Sequence, residues 1–172
     1  MEQIYQTYLN IIKNICTDSN DPVSVTPEQL PALANLAQEH CTVPFVLPCL
    51  RSASVYPSMK HQVKEMMLNY YQIEHFTRTT VSLLRENHID CYLLKGLSLA
   101  DCYPVPEYRK LGDLDLYLAE PEMLSQAQTV LESSGYILQD ELSDHHVTYY
   151  YTFPKTGRRF ILELHYRVVG QY

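Results

Sequence analysis

Two stretches of strict alternation constrain this chain more than anything else in it. The first is Asp113-Leu114-Asp115-Leu116-Tyr117-Leu118. In the second, Phe160, Leu162, Leu164 and Tyr166 alternate with Ile161, Glu163, His165 and Arg167. A period of two belongs to a β-strand, whose successive side chains point to opposite faces. Leu114, Leu116 and Leu118 therefore go inward together, while Asp113 and Asp115 share the other face. Two carboxylates so spaced stand roughly 6.5 Å apart along a strand, able to straddle two divalent cations about 4 Å apart. Glu163 falls on the polar side of the second stretch. The pattern taken alone fits a solvated acidic strand face as well as a metal-binding one.

The segment before residue 89 reads as helical. Ile4, Tyr8, Leu9, Ile11, Ile12 and Ile15 recur at threes and fours, giving an amphipathic helix over 2–16. Thr26-Pro27-Glu28 supplies an N-cap, a first-turn proline and a first-turn acid for a helix running to about residue 40. A short helix is expected over 43–53, with Pro48 as a bend. Met59, Val63, Met66, Met67, Tyr70, Ile73, Thr77, Val81 and Leu84 keep helical spacing through the longest element, and Glu74 and Arg78 add an i,i+4 pair. This Met and Tyr stripe reads as core packing.

From residue 89 the period changes. Strands are expected at 91–94, 113–118, 136–139, 147–153 and 159–168, with helices at 97–102 and from Pro121 to a Ser133-Ser134-Gly135 stop. Pro154-Lys155-Thr156-Gly157 reads as a hairpin turn. The order predicts an α+β (α/β-like) chain: a helical region over 1–88 and a mixed-sheet core over 89–172.

Composition narrows the partners. A net charge of −7 argues against a broad electrostatic grip on nucleic acid. The five cysteines form no C-x-x-C pair and no zinc-type spacing, and no targeting segment is visible, which predicts a reduced, cytoplasmic protein. No apolar run reaches the roughly 20 residues of a membrane span. His145, His146 and His165 likewise lack zinc-ligand spacing and read as surface or substrate-contacting groups.

Leu93-Leu94-Lys95-Gly96, a following Tyr103-Pro104, Arg109 ahead of Asp113-Leu114-Asp115, then Ser134-Gly135-Tyr136, a His, and Glu163-Leu164-His165-Tyr166 form an ordered set. This set resembles the bacterial uncharacterised nucleotidyltransferase family of the polymerase-beta-type nucleotidyltransferase superfamily. It covers residues 93–166 well and the helical lead-in more loosely. The resemblance implies a nucleotidyltransferase core with an N-terminal helical annex, and transfer of a nucleoside monophosphate, by two-metal catalysis, from an NTP to an acceptor it does not identify. Asp113, Asp115 and Glu163 would hold Mg²⁺ or Mn²⁺, as hard carboxylate oxygens suit. Glu163 would also help activate the acceptor, and Lys95, Gly96, Ser98 and Arg109 would meet nucleotide or phosphate. Three carboxylates on one face repel, so Asn variants at the two aspartates are expected to spare the metal-free fold or stabilise it slightly.

The chain departs from the superfamily in two places. Gly96-Leu97 stands where Gly-Ser or Gly-Gly is usual, with Ser98 one place later, and the gap to Asp113 is longer. Tyr166 replaces the family's Trp. The alternatives are a non-catalytic nucleotide-binding or protein-interaction domain that keeps the fold, and a toxin–antitoxin or resistance-type partner. Because the chain stops soon after Glu163, a truncated core, or a homo-oligomer that borrows a wall from its neighbour, is also an expectation.

Overall fold

The strands and helices gather into two compact units, one spanning residues 1–70 and 100–110, the other 71–99 and 111–172. The structure, a computed structural model, describes residues 2–19, 21–139 and 143–167.

The first unit is helical. It holds α1 (Glu2–Cys16), α2 (Leu30–Glu39), α3 (Val43–Val46) and the opening half of α4 (Tyr56–Glu86). Their apolar stripes converge: Tyr8 and Ile11 of α1, Leu33 and Ala37 of α2, Val46 of α3 and Met59 of α4 share one core with Leu50. Ahead of α2, the Gln29 side chain accepts a hydrogen bond from the Thr26 N–H at 3.0 Å, which satisfies a donor the helix leaves open. The helix expected over 43–53 is instead the single α-turn of α3 followed by a 3₁₀ turn, Leu47–Leu50. Pro48 has no N–H to donate to the carbonyl four residues back, so the backbone tightens there.

The second unit is built on a five-stranded sheet of order β1-β2-β5-β4-β3. The strands are β1 (Cys91–Leu93), β2 (Leu114–Leu118), β3 (Ile137–Leu138), β4 (His146–Thr152) and β5 (Arg159–His165), with α5 (Leu97–Ala100) and α6 (Leu124–Ser133) between them. β2 and β5 run parallel; every other neighbouring pair is antiparallel. This is the mixed sheet of an α+β fold, as the sequence order predicts. Three ends differ. β2 begins at Leu114, leaving Asp113 just ahead of it, and Tyr136 precedes β3. β5 ends at His165, and the Val168 end expected for it lies outside the described residues.

One face of this sheet is apolar and buried. Leu114, Leu116, Leu118, Leu162, Leu164, Val147 and Tyr149 are almost wholly shielded. The later half of α4 packs here through Phe76, whose ring stacks on Phe160 at 5.2 Å, Tyr151 at 5.9 Å and Tyr136 at 6.1 Å. Thr77 and Thr80 are buried on the same helix at no hydrogen-bond deficit, because each hydroxyl donates to the carbonyl four residues back. Burying the leucine row on one face leaves the alternate positions, Asp115 and Glu163 among them, on the other.

Among the described residues no helix is long and apolar enough to cross a membrane.

Candidate metal and nucleotide site

The parallel pairing of β2 with β5 is what creates the site. Its register sets Asp115 beside Glu163 and Tyr117 beside His165. The antiparallel pairing of β5 with β4 then adds Thr148 opposite Glu163 and His146 opposite His165. A row of polar side chains from three adjacent strands therefore shares one face. The backbone continues the β1–β2 ladder one step further, with Leu94 N–H donating to the Asp115 carbonyl at 3.2 Å. That bond fixes the start of the turn carrying Lys95 and Gly96.

Asp115 sits at the centre, and its side chain is fully buried. Lys95 Nζ lies 3.0 Å from Asp115 Oδ1, and His165 Nε2 lies 3.3 Å from the same oxygen and 3.5 Å from Glu163 Oε2. Burial pushes the Asp115 carboxyl up, but hydrogen bonds from His165 and Lys95 and the Lys95 charge outweigh it, holding the carboxyl below its ordinary range. The same contact acts reciprocally on Lys95. Its hydrogen bond to Asp115, helped by the charges of Asp115, Asp113 and Glu163, raises the ammonium's proton affinity against a smaller desolvation effect. The pair is therefore ionic: a buried carboxylate facing an ammonium whose side chain is 55% exposed.

The other oxygen, Asp115 Oδ2, is buried without a hydrogen-bond partner among the described residues. Ligand atoms of Asp115, Glu163 and His165 all lie within 4.8 Å of one another, a spacing a single cation could draw together. Asp113 is not a member of that group. From its place ahead of β2 it acts on Lys95 through charge, and its carbonyl lies 3.5 Å from where a side chain on Gly96 would begin.

Gly96 takes φ +65°, a conformation that L side chains rarely adopt, so the turn out of β1 calls for glycine. The α5 helix after it is only four residues long. Ser98 Oγ donates to the Leu94 carbonyl at 3.1 Å. Arg109 belongs to the first unit, where its guanidinium donates to the Tyr103 hydroxyl at 3.2 Å and lies over that ring.

The three histidines converge as well: His145, His146 and His165 offer ligand atoms within 4.8 Å of one another. Spacing in the sequence gives no hint of this, because the β4–β5 pairing produces it. Burial lowers the proton affinity of His146, against a smaller opposing effect of the Glu163 charge. Asp144, overlooked in the sequence, holds the His145 ring at 2.8 Å; the run Ser143-Asp144-His145-His146 was the available signal.

A mixed α+β sheet that gathers carboxylates in register on one face, next to a glycine turn after its edge strand, is the architecture anticipated for a nucleotidyltransferase core. A family model described as "Uncharacterised nucleotidyltransferase" matches residues 26–171, and the chain belongs to that family. No curated protein and no solved structure gives a significant match.

Proposed function

We propose that the protein transfers a nucleoside monophosphate from an NTP to an acceptor hydroxyl or similar group, using Mg²⁺ or Mn²⁺ held by Asp115 and Glu163 with Asp113 beside them. The observation that carries this reading is the buried Asp115 carboxylate, in register with Glu163, with Oδ2 unpartnered among the described residues. A buried carboxylate oxygen without a donor is costly, and a hard dication is the partner that suits it. When bound, such an ion lowers the pKa of an attacking hydroxyl and neutralises charge that builds on the phosphate and its leaving group.

The chain's own residues set the conditions. Lys95 and His165 keep Asp115 ionised despite its burial. Glu163, partly exposed beside it, is the acid placed to accept a proton from the acceptor. Lys95 presents a permanent charge at the edge of the site, where a triphosphate would meet it. Gly96 supplies the positive φ of the turn that carries Lys95 to the site.

One observation favours a second reading, a non-catalytic nucleotide-binding or interaction domain. The Lys95 ammonium already neutralises Asp115, as it would in a site where a lysine has taken over a metal's electrostatic role. Incubating the protein with Mg²⁺ or Mn²⁺, each labelled NTP and cell extract separates the two. The first reading expects label on a macromolecule or small acceptor, abolished by Asp115→Asn and Glu163→Gln. Nucleotide binding without transfer under every combination supports the second reading and sinks the first.

A further inference from the structure

We propose that His145, His146 and His165 form a site for a borderline transition-metal dication of the Zn²⁺ class, adjoining the carboxylate pair and chemically distinct from it. Imidazole nitrogens suit zinc, copper, nickel and iron, whereas Mg²⁺ prefers oxygen. The two ligand sets therefore select different ions although His165 belongs to both.

Backbone pairing builds the convergence. His146 and His165 are cross-strand partners on β4 and β5, with ring centroids 5.1 Å apart. His145, one residue before β4, has its carbonyl held by the N–H groups of Tyr166 at 3.0 Å and Arg167 at 3.3 Å. The Tyr166 hydroxyl donates to the Ser143 carbonyl at 2.8 Å, tying the same segment down again. The rings of His145 and His146 come within 4.5 Å. Little rearrangement separates ligand atoms within 4.8 Å from a metal's coordination sphere.

The surroundings match those of metal-ligating histidines, which commonly give one ring N–H to a carboxylate and so keep the other nitrogen basic. His145 Nδ1 lies 2.8 Å from Asp144 Oδ1 and 2.8 Å from Ser143 Oγ. His165 Nε2 lies against Asp115 and Glu163. His146 Nδ1 is buried with no hydrogen-bond partner among the described residues, a cost that coordination would offset. Three protein ligands leave a zinc ion one open position for water or another ligand.

The test uses chelator-treated full chain and metal alone, with no nucleotide, so its outcome is independent of the transferase reading. Zn²⁺ titrated calorimetrically is expected to bind at one equivalent, with affinity lowered at least about tenfold by either His145→Gln or His146→Gln. His61→Gln, at an exposed histidine of α4 outside the cluster, is expected to leave it unchanged. Co²⁺ in the same site should give visible bands without sulfur-to-metal charge transfer, which would otherwise implicate cysteine. In wild-type protein, NMR of labelled imidazoles should show three of the seven histidines shifting on Zn²⁺ addition, a readout that needs no variant to fold. Absence of stoichiometric binding, thiolate bands, or affinity that survives both substitutions would overturn the proposal.

Discussion

The contact between Lys95 and Asp115 reverses an expectation drawn from charge pattern alone. Like-charge repulsion predicts that removing either aspartate's charge spares the metal-free fold. Asp115, however, is a buried carboxylate with two donors on one oxygen, and its proton affinity is lowered. Asp115→Asn is therefore expected to destabilise the metal-free protein by about 1–3 kcal/mol, the usual cost of disrupting a buried charged hydrogen bond. Asp113→Asn should be nearly neutral. Denaturant unfolding of both variants measures the difference. Its pH dependence has a definite sign. A depressed Asp115 pKa gives stabilisation that is present above the unfolded value of about 3.9 and lost as pH falls through the lower folded value. A raised Lys95 pKa gives stabilisation that is full below about 10.4 and lost as pH rises through the higher folded value. Lys95→Met should flatten both flanks relative to wild type. A variant with unchanged flanks would mean that solvent screens the pair despite its burial on one side.

At the scale of elements, alternation identified β2 and β5 and put their leucines on a common face, since the period of two is local. What it could not supply was pairing. That β5 lies parallel to β2 with Glu163 beside Asp115, or that β4 carries His146 to His165, depends on a register set by contacts far apart in the sequence. Helix α4 shows the converse. Its stripe was legible, yet the residue that matters most on its second half, Phe76, was absent from it. Phe76 is fully buried amid four aromatic rings from residues 136–160, a neighbourhood only the folded sheet creates. Phe76→Ala should cost about 3–5 kcal/mol, read from the shift of the urea midpoint at unchanged slope. The same cluster holds Tyr136, whose phenol bonds Thr80 at 2.8 Å and which burial pushes up to about 12. Because its folded pKa exceeds the unfolded value of about 10, its contribution is full below that and lost as pH rises toward about 12. Tyr136→Phe should remove that part of the alkaline loss, visible in melting temperatures taken across that range.

For the whole molecule, the transferase reading implies thermodynamic linkage. An ion or nucleotide that binds only the folded chain stabilises it by an amount set by its concentration over its dissociation constant, about 2.7 kcal/mol at a hundredfold excess. For a chain of this size 1 kcal/mol moves the melting temperature by about 2–4 °C, so saturating Mg²⁺ or Mn²⁺ with an NTP should raise it by about 5–10 °C. The site predicts how variants divide. Asp115→Asn and Glu163→Gln remove adjacent ligands and should abolish most of the shift. Asp113→Asn, outside that group, should weaken it less. Lys95→Met is the most discriminating. It removes the ammonium that competes for Asp115, so the metal-free protein should be less stable and its gain from a divalent ion larger than the wild type's. If Lys95 instead permanently replaces the ion, wild type will show no shift with any metal and NTP, and only Lys95→Met will acquire one. That second pattern would favour the reading of a nucleotide-binding or interaction domain that keeps the fold without the transfer.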